Sequence, residues 1–115
     1  TDRSLAVRGA CSSTGDPVIA RNFDNPPLFQ PFYVLRESRP RGGFRSLDFA
    51  VAPQAGTVDG VNEHGLAITL DYAFVTDSGA PNPLVTMLIA DALAACATVT
   101  EAARRLTASP RWCGS

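Results

Sequence analysis

The residues in this chain best suited to chemistry are the first one, Thr1, and the pair Arg21 and Asp24 within Ala20-Arg21-Asn22-Phe23-Asp24. An N-terminal threonine carries both a hydroxyl nucleophile and an α-amine. The ordinary pKa of that amine, about 7.7–8.0, lets it act as the base without a histidine. A neighbouring carboxylate would orient the amine, and an arginine would tune its pKa and hold the hydroxyl in place. The chemistry would be attack on a carbonyl through a covalent intermediate. Cys11 is the alternative nucleophile, since a thiol is intrinsically better than a hydroxyl. A Ser-His-Asp or Cys-His system would have to use His64, the only histidine, and His64 sits in a turn between Glu63 and Gly65 where a surface role is the simpler reading.

The elements that must position these groups can be read from pattern. Ser4 to Gly9 reads as a strand, Cys11-Ser12-Ser13-Thr14-Gly15-Asp16-Pro17 as a turn, and Val18 to Phe23 as a second strand. If Leu5-Ala6-Val7 pairs with Val18-Ile19-Ala20, facing positions add to about 25. Thr1 then falls opposite Asp24 and Ser4 opposite Arg21, whereas Cys11 falls in the turn at the far end. That register favours Thr1 over Cys11. Phe32 to Leu35 and Phe44 to Ala52 read as further strands, with Arg36 to Gly43 as a charged loop between them. Gly60 to Gly65 reads as a turn and Leu66 to Leu70 as an apolar strand. Beyond Pro83 the apolar period lengthens to that of a buried helix over 83–97, with Cys96 in its core. Thr98 and Glu101 form a T-x-x-E capping box opening a second helix that stops before Pro110. Strands followed by helices describe an α+β domain, with antiparallel sheets flanked by helices.

Arg21-Asn22-Phe23-Asp24 after a strand–turn–strand, with Gly60-Val61-Asn62-Glu63-His64-Gly65-Leu66-Ala67-Ile68-Thr69 downstream, resembles N-terminal-nucleophile (Ntn) hydrolases of the choloylglycine hydrolase group, and within it the isopenicillin N acyltransferase-like branch. The resemblance covers about 4–112. It implies part of an αββα sandwich, and an amidohydrolase or acyltransferase that forms an acyl-enzyme on an amide or acyl thioester after autoproteolytic processing. Carried over by position, Arg21 is similar to the arginine beside the nucleophile, and Asp24 to the aspartate that holds the terminal amine. Asn62 is similar to a structural turn asparagine. Asp71 falls where relatives often have an asparagine lining the oxyanion site, and a carboxylate there would repel a developing oxyanion. Tyr72 and Phe74 would line the acyl pocket. The departure is at the nucleophile, where the group has cysteine and this chain offers Thr1 or Asp2.

Composition narrows the rest. The chain has 115 residues, 45% of them apolar, suited to one domain spanning 1–115. Ten basic residues, all arginine, against eleven acidic ones leave no basic stripe for nucleic acid. No run is long enough to cross a bilayer, and no signal-peptide pattern is present, so a cytoplasmic location is expected. Three cysteines, at 11, 96 and 113, make neither a disulfide framework nor a zinc-like cluster, and no metal or organic cofactor is expected. The start at Thr1 suggests processing. The end at Trp112-Cys113-Gly114-Ser115, just past a helix, suggests a second chain from the same precursor or operon that completes the domain, and higher homo-oligomers are compatible with it. Arg36, Arg39, Arg41 and Arg45 could attract an anionic thioester, though a solvated loop is the simpler reading. Asn25-Pro26-Pro27 could shape a pocket wall or merely end a strand. Two rivals to the enzyme remain: an inactive relative serving as a binding or assembly subunit, and a protein whose self-cleavage is its main event.

Overall fold

The computed structural model describes residues 2–71 and 83–108. Thr1, Tyr72, Phe74, Pro110 and Cys113 lie outside the described residues. The chain opens with a hairpin of β1 (Arg3–Val7) and β2 (Val18–Asn22), joined through a short 3-10 turn at Gly9–Cys11. Its antiparallel register pairs Arg3 with Asn22, Ser4 with Arg21, Leu5 with Ala20, Ala6 with Ile19 and Val7 with Val18. Every pair has the sum that the sequence pattern requires. A second 3-10 segment, Pro27–Phe32, follows the Asn25-Pro26-Pro27 break and leads into a four-stranded sheet.

That sheet is an antiparallel meander, β3 (Tyr33–Ser38), β4 (Ser46–Val51), β5 (Asp59–Asn62) and β6 (Ala67–Thr69), in spatial order β3-β4-β5-β6. Two expectations change here. Arg36 belongs to β3 rather than to a solvated loop, because its guanidinium is drawn onto buried Asp48: Nε donates to Oδ1 at 2.8 Å, and Ser38 Oγ donates to Oδ2 at 2.5 Å. The Gly60 to Asn62 part of the expected turn is strand, with only Glu63 and His64 at the turn itself. Gly60 is needed inside that strand for a packing reason. A Cβ there would lie 2.6 Å from Leu93 Cδ1 and 3.0 Å from Asp48 Cβ, so the small residue lets a helix approach the sheet.

The helix concerned is α1 (Val85–Ala95), followed by α2 (Val99–Ala108). Thr86, Leu88, Ile89, Ala92 and Leu93 of α1 are buried, the spacing of one helical face. Leu93 and Ile89 meet Val51, Val58 and Leu70, and this core is extended by Phe23, Tyr33 and Phe49. Each such buried aliphatic side chain contributes roughly 1.5–3 kcal/mol. Leu66, Ala92, Cys96 and Ala102 form a second cluster beneath α2, and burial pushes the Cys96 thiol up from its ordinary pKa. The loop before β5 is fastened to the start of α1: Thr57 N–H donates to Thr86 O at 2.9 Å, and Thr86 Oγ1 donates to Ala55 O at 2.7 Å. The capping box forms as the sequence suggests. Glu101 N–H donates to Thr98 Oγ1 at 3.2 Å, while Glu101 Oε2 accepts from the N–H groups of Ala97 and Thr98 at 2.8 and 3.2 Å.

Among the described residues the result is α+β, with two antiparallel sheets and two helices, compatible with part of a layered Ntn-type domain. No helix among the described residues is long and apolar enough to cross a membrane.

Candidate active site

The site is built where the open end of the β1–β2 hairpin meets the ends of β5 and β6. Alternation along β2 turns Arg21 inward, and its side chain is only 5% exposed. A guanidinium so removed from water requires partners on all sides. Nη1 donates to both carboxylate oxygens of Asp59, at 3.0 and 2.9 Å. Nη2 donates to Asp2 Oδ2 at 3.0 Å and also to the carbonyl of Leu70. Nε is buried without a hydrogen-bond acceptor among the described residues and lies 3.4 Å from Asp71 Oδ1. The Phe23 ring closes one face of the guanidinium, with its centroid 4.6 Å from Cζ.

Three carboxylates thus surround one guanidinium, and the surplus charge of the cluster is negative. Asp71 is the most exposed of the three, and it also accepts a 2.5 Å hydrogen bond from Ser4 Oγ, the residue paired with Arg21 across the hairpin. Its carboxylate is therefore turned towards a cation and a hydroxyl donor.

Asp24 lies just past β2 and is exposed. It does not share the Arg21 face directly; Asp2 joins the two, because Asp2 Oδ1 accepts from Asp24 N–H at 2.8 Å while Oδ2 accepts from Arg21. The Asp24 carboxyl is held below the usual carboxylate range, most strongly by the chain's α-amine and next by Asn22, whose Nδ2 donates to Oδ1 at 2.6 Å; the Arg3 charge adds to this. It is the ionised form of Asp24 that the surroundings favour.

Cys11 is exposed at the end of the first 3-10 turn, beyond the Val7–Val18 pair and so at the opposite end of the hairpin from Arg21. His64 stacks edge-on against Phe44, with centroids 4.2 Å apart, in the turn at the far end of β5 and β6. Of the arginine group, Arg36 is bound by Asp48, Arg39 by Glu37 and Arg45 by Glu63, so internal carboxylates take up three of the four charges. Asn62 is structural. Its Nδ2 donates to Leu93 O and Cys96 O at 2.9 and 2.7 Å, and its Oδ1 accepts from His64 and Leu66 N–H, each at 3.1 Å.

Pattern alone missed Asp2 and Asp59. Asp2 was within reach, since the register places it on the same hairpin face as Ser4 and diagonally beside Arg21. Asp59 was hidden by the reading of Gly60 to Gly65 as a turn, which left no strand to aim the preceding residue. Among the described residues no group of three or more histidine, cysteine or acidic side chains is arranged to hold a metal ion.

The family model of acyl-coenzyme A:6-aminopenicillanic acid acyl-transferase matches residues 11–115. The chain belongs to this family. The match takes in β2 with Arg21 and Asp24, the whole four-stranded sheet and both helices. It agrees with the resemblance carried by the two motifs, and the activity of this acyltransferase family is acyl transfer or hydrolysis of the Ntn type. No curated protein and no solved structure matches the chain.

Proposed function

We propose that this member of the acyl-transferase family is an amidohydrolase or acyltransferase that forms an acyl-enzyme on an N-terminal nucleophile, exposed by autoproteolytic processing. The observation that carries the reading is the buried Arg21 guanidinium, clasped by Asp2, Asp59 and Asp71 at the open end of the first hairpin. The pairing of β1 with β2, continued past Arg3, would bring the first residue opposite Asp24. In this scheme the Thr1 hydroxyl attacks the carbonyl of an amide or acyl thioester, and the α-amine accepts the hydroxyl proton. The tetrahedral adduct then expels the amine or thiol, which leaves with that proton, and water or an acceptor amine resolves the acyl-enzyme. Ionised Asp24 orients the amine, and Arg21 balances the negative charge that would otherwise raise the amine's pKa. Tyr72 and Phe74 stand as proposed walls of the acyl pocket, and Cys11 as the alternative nucleophile. We further propose that a second polypeptide completes the domain. Support comes from the sheet face away from α1, where Leu35 and Leu47 are 72% and 49% exposed.

Incubation with an acyl electrophile, followed by intact-mass measurement and peptide mapping, tests the scheme. An adduct on Thr1 that disappears in Asp24→Ala, with the thermal melt unchanged, is the expected result. An adduct on Cys11 would transfer the nucleophile role to that residue. The absence of any adduct would leave the rival reading, a binding or assembly subunit, in its place.

A further inference from the structure

We propose that Asp59 is the positioning residue for Arg21, fixing the guanidinium at the hairpin end; its catalytic consequence rests on the acyl-transfer reading above. Asp59 begins β5 and is paired on one side with Phe49 and on the other with Thr69, so its backbone is held from both directions. Its carboxylate takes Nη1 of Arg21 with both oxygens, and Oδ1 also accepts the Leu70 N–H at 3.2 Å. The same Leu70 offers its carbonyl to Nη2 of Arg21. Asp59 and the end of β6 therefore form one clamp that grips two edges of the guanidinium fork, a geometry that only arginine fills. Asp2 belongs to the hairpin itself and moves with Arg21, and Asp71 is 48% exposed against 20% for Asp59. Of the three carboxylates, Asp59 is the one that ties Arg21 firmly to the four-stranded sheet. The hairpin otherwise rests on that sheet through Phe23 against Phe49 and Tyr33, and through the Ser4 hydroxyl, which hydrogen-bonds Thr69 and Asp71; none of these contacts holds the guanidinium with two oxygens at once.

Asp59 also contributes a negative charge. Removing it makes the cluster more positive, which disfavours protonation of a nearby α-amine and lowers its pKa. The basic form then persists to lower pH, so the acidic limb of the kcat/KM profile should move down in pH.

The test compares wild type, Asp59→Asn and Asp59→Glu by NMR of the Arg21 Nη–H signals and by acyl-transfer kinetics. In wild type the clamp should give separate, slowly exchanging Nη–H signals. In Asp59→Asn those signals should merge, kcat should fall roughly 10- to 100-fold with KM nearly unchanged, and the acidic limb should move down. Asp59→Glu keeps the charge on a side chain one methylene longer, so the limb should stay in place while the Arg21 signals broaden. Arg21 signals unchanged in Asp59→Asn would overturn the proposal, as would a limb that does not move in an active enzyme. Should Asp59→Asn fail to fold, unchanged Arg21 signals in Asp59→Glu would overturn it equally. A wild type that forms no acyl-enzyme would end the acyl-transfer reading, while the NMR comparison still decides whether Asp59 positions Arg21.

Discussion

Asn62 and Arg21 are both polar side chains withdrawn from water; Asn62 is satisfied entirely by backbone groups, Arg21 by carboxylates and the Leu70 carbonyl, with Nε left without an acceptor among the described residues. For Asn62 the outcome is purely architectural. One amide caps the carbonyls of Leu93 and Cys96 at the end of α1 and receives the N–H groups of His64 and Leu66 in the β5–β6 turn. Truncation to alanine would leave those groups facing a void that is too apolar to solvate them. Asn62→Ala should therefore cost roughly 3 kcal/mol, read as a lower urea midpoint with an unchanged slope. A loss below about 1 kcal/mol would mean that water replaces the amide. Reactivity with an acyl electrophile should survive in the folded fraction, because Asn62 lies at the other end of β5 from Asp59 and the Arg21 cluster. Arg21 differs in that its side-chain partners are carboxylates.

At the level of elements, α2 shows how closely local chemistry can be read. Thr98 and Glu101 exchange hydrogen bonds with each other's backbone, and Glu101 reaches back to Ala97 as well. The Ala97 N–H, first, and then Thr98 hold the Glu101 carboxyl below its ordinary value of 4.5. A lowered carboxylate pKa means that the stabilisation is fully present above that ordinary value and is lost as pH falls through the lowered one. Amide protection factors in the first turn of α2 should accordingly fall below pH 4.5 in wild type. In Glu101→Gln it should lose that pH dependence, and Thr98→Ala should cost about 1 kcal/mol at any pH. An acid response unchanged in Glu101→Gln would assign the effect to another group. The hairpin register was equally legible, since a turn-rich segment flanked by two short apolar runs permits few pairings. β5 was not. Gly60, Asn62, Glu63 and Gly65 have turn-forming composition, and only the packing of Leu93 against Gly60 makes an extended strand the better solution there. The same misreading hid Asp59, whereas Arg21, Asp24 and Asp71 were visible in sequence and Asp2 was within reach of the hairpin register. Arg36 is a parallel case: its charge looked solvated until Asp48, on the neighbouring strand, was brought beneath it.

For the molecule as a whole, the four-stranded sheet has two unlike faces. Asp48, Gly60, Asn62 and Ile68 occupy the face towards α1. The other face carries Leu35, Leu47 and Val61, which are 72%, 49% and 40% exposed. At its end nearest the hairpin this face is met by Phe23 against Tyr33 and Phe49, by Arg21 on Asp59 and by Ser4 on Thr69. The hairpin adds its own half-exposed Ile19 to a hollow lined also by Leu35, Leu47 and Val61. Strands that carry apolar residues on both faces are those buried on both faces, whereas a sheet open to water on one side alternates apolar with polar. A layer of protein over this face is what that pattern calls for, and the second polypeptide proposed above is its occupant in that reading. Replacing Leu35 and Leu47 together by glutamate would place two charges in the proposed interface without touching α1 or the Arg21 cluster. If a second polypeptide co-purifies with the wild type, the double variant should keep the wild-type α1 and α2 amide protection but lose that polypeptide and the adduct on Thr1. If the pair of glutamates leaves both intact, the apolar face is not where the domain is completed.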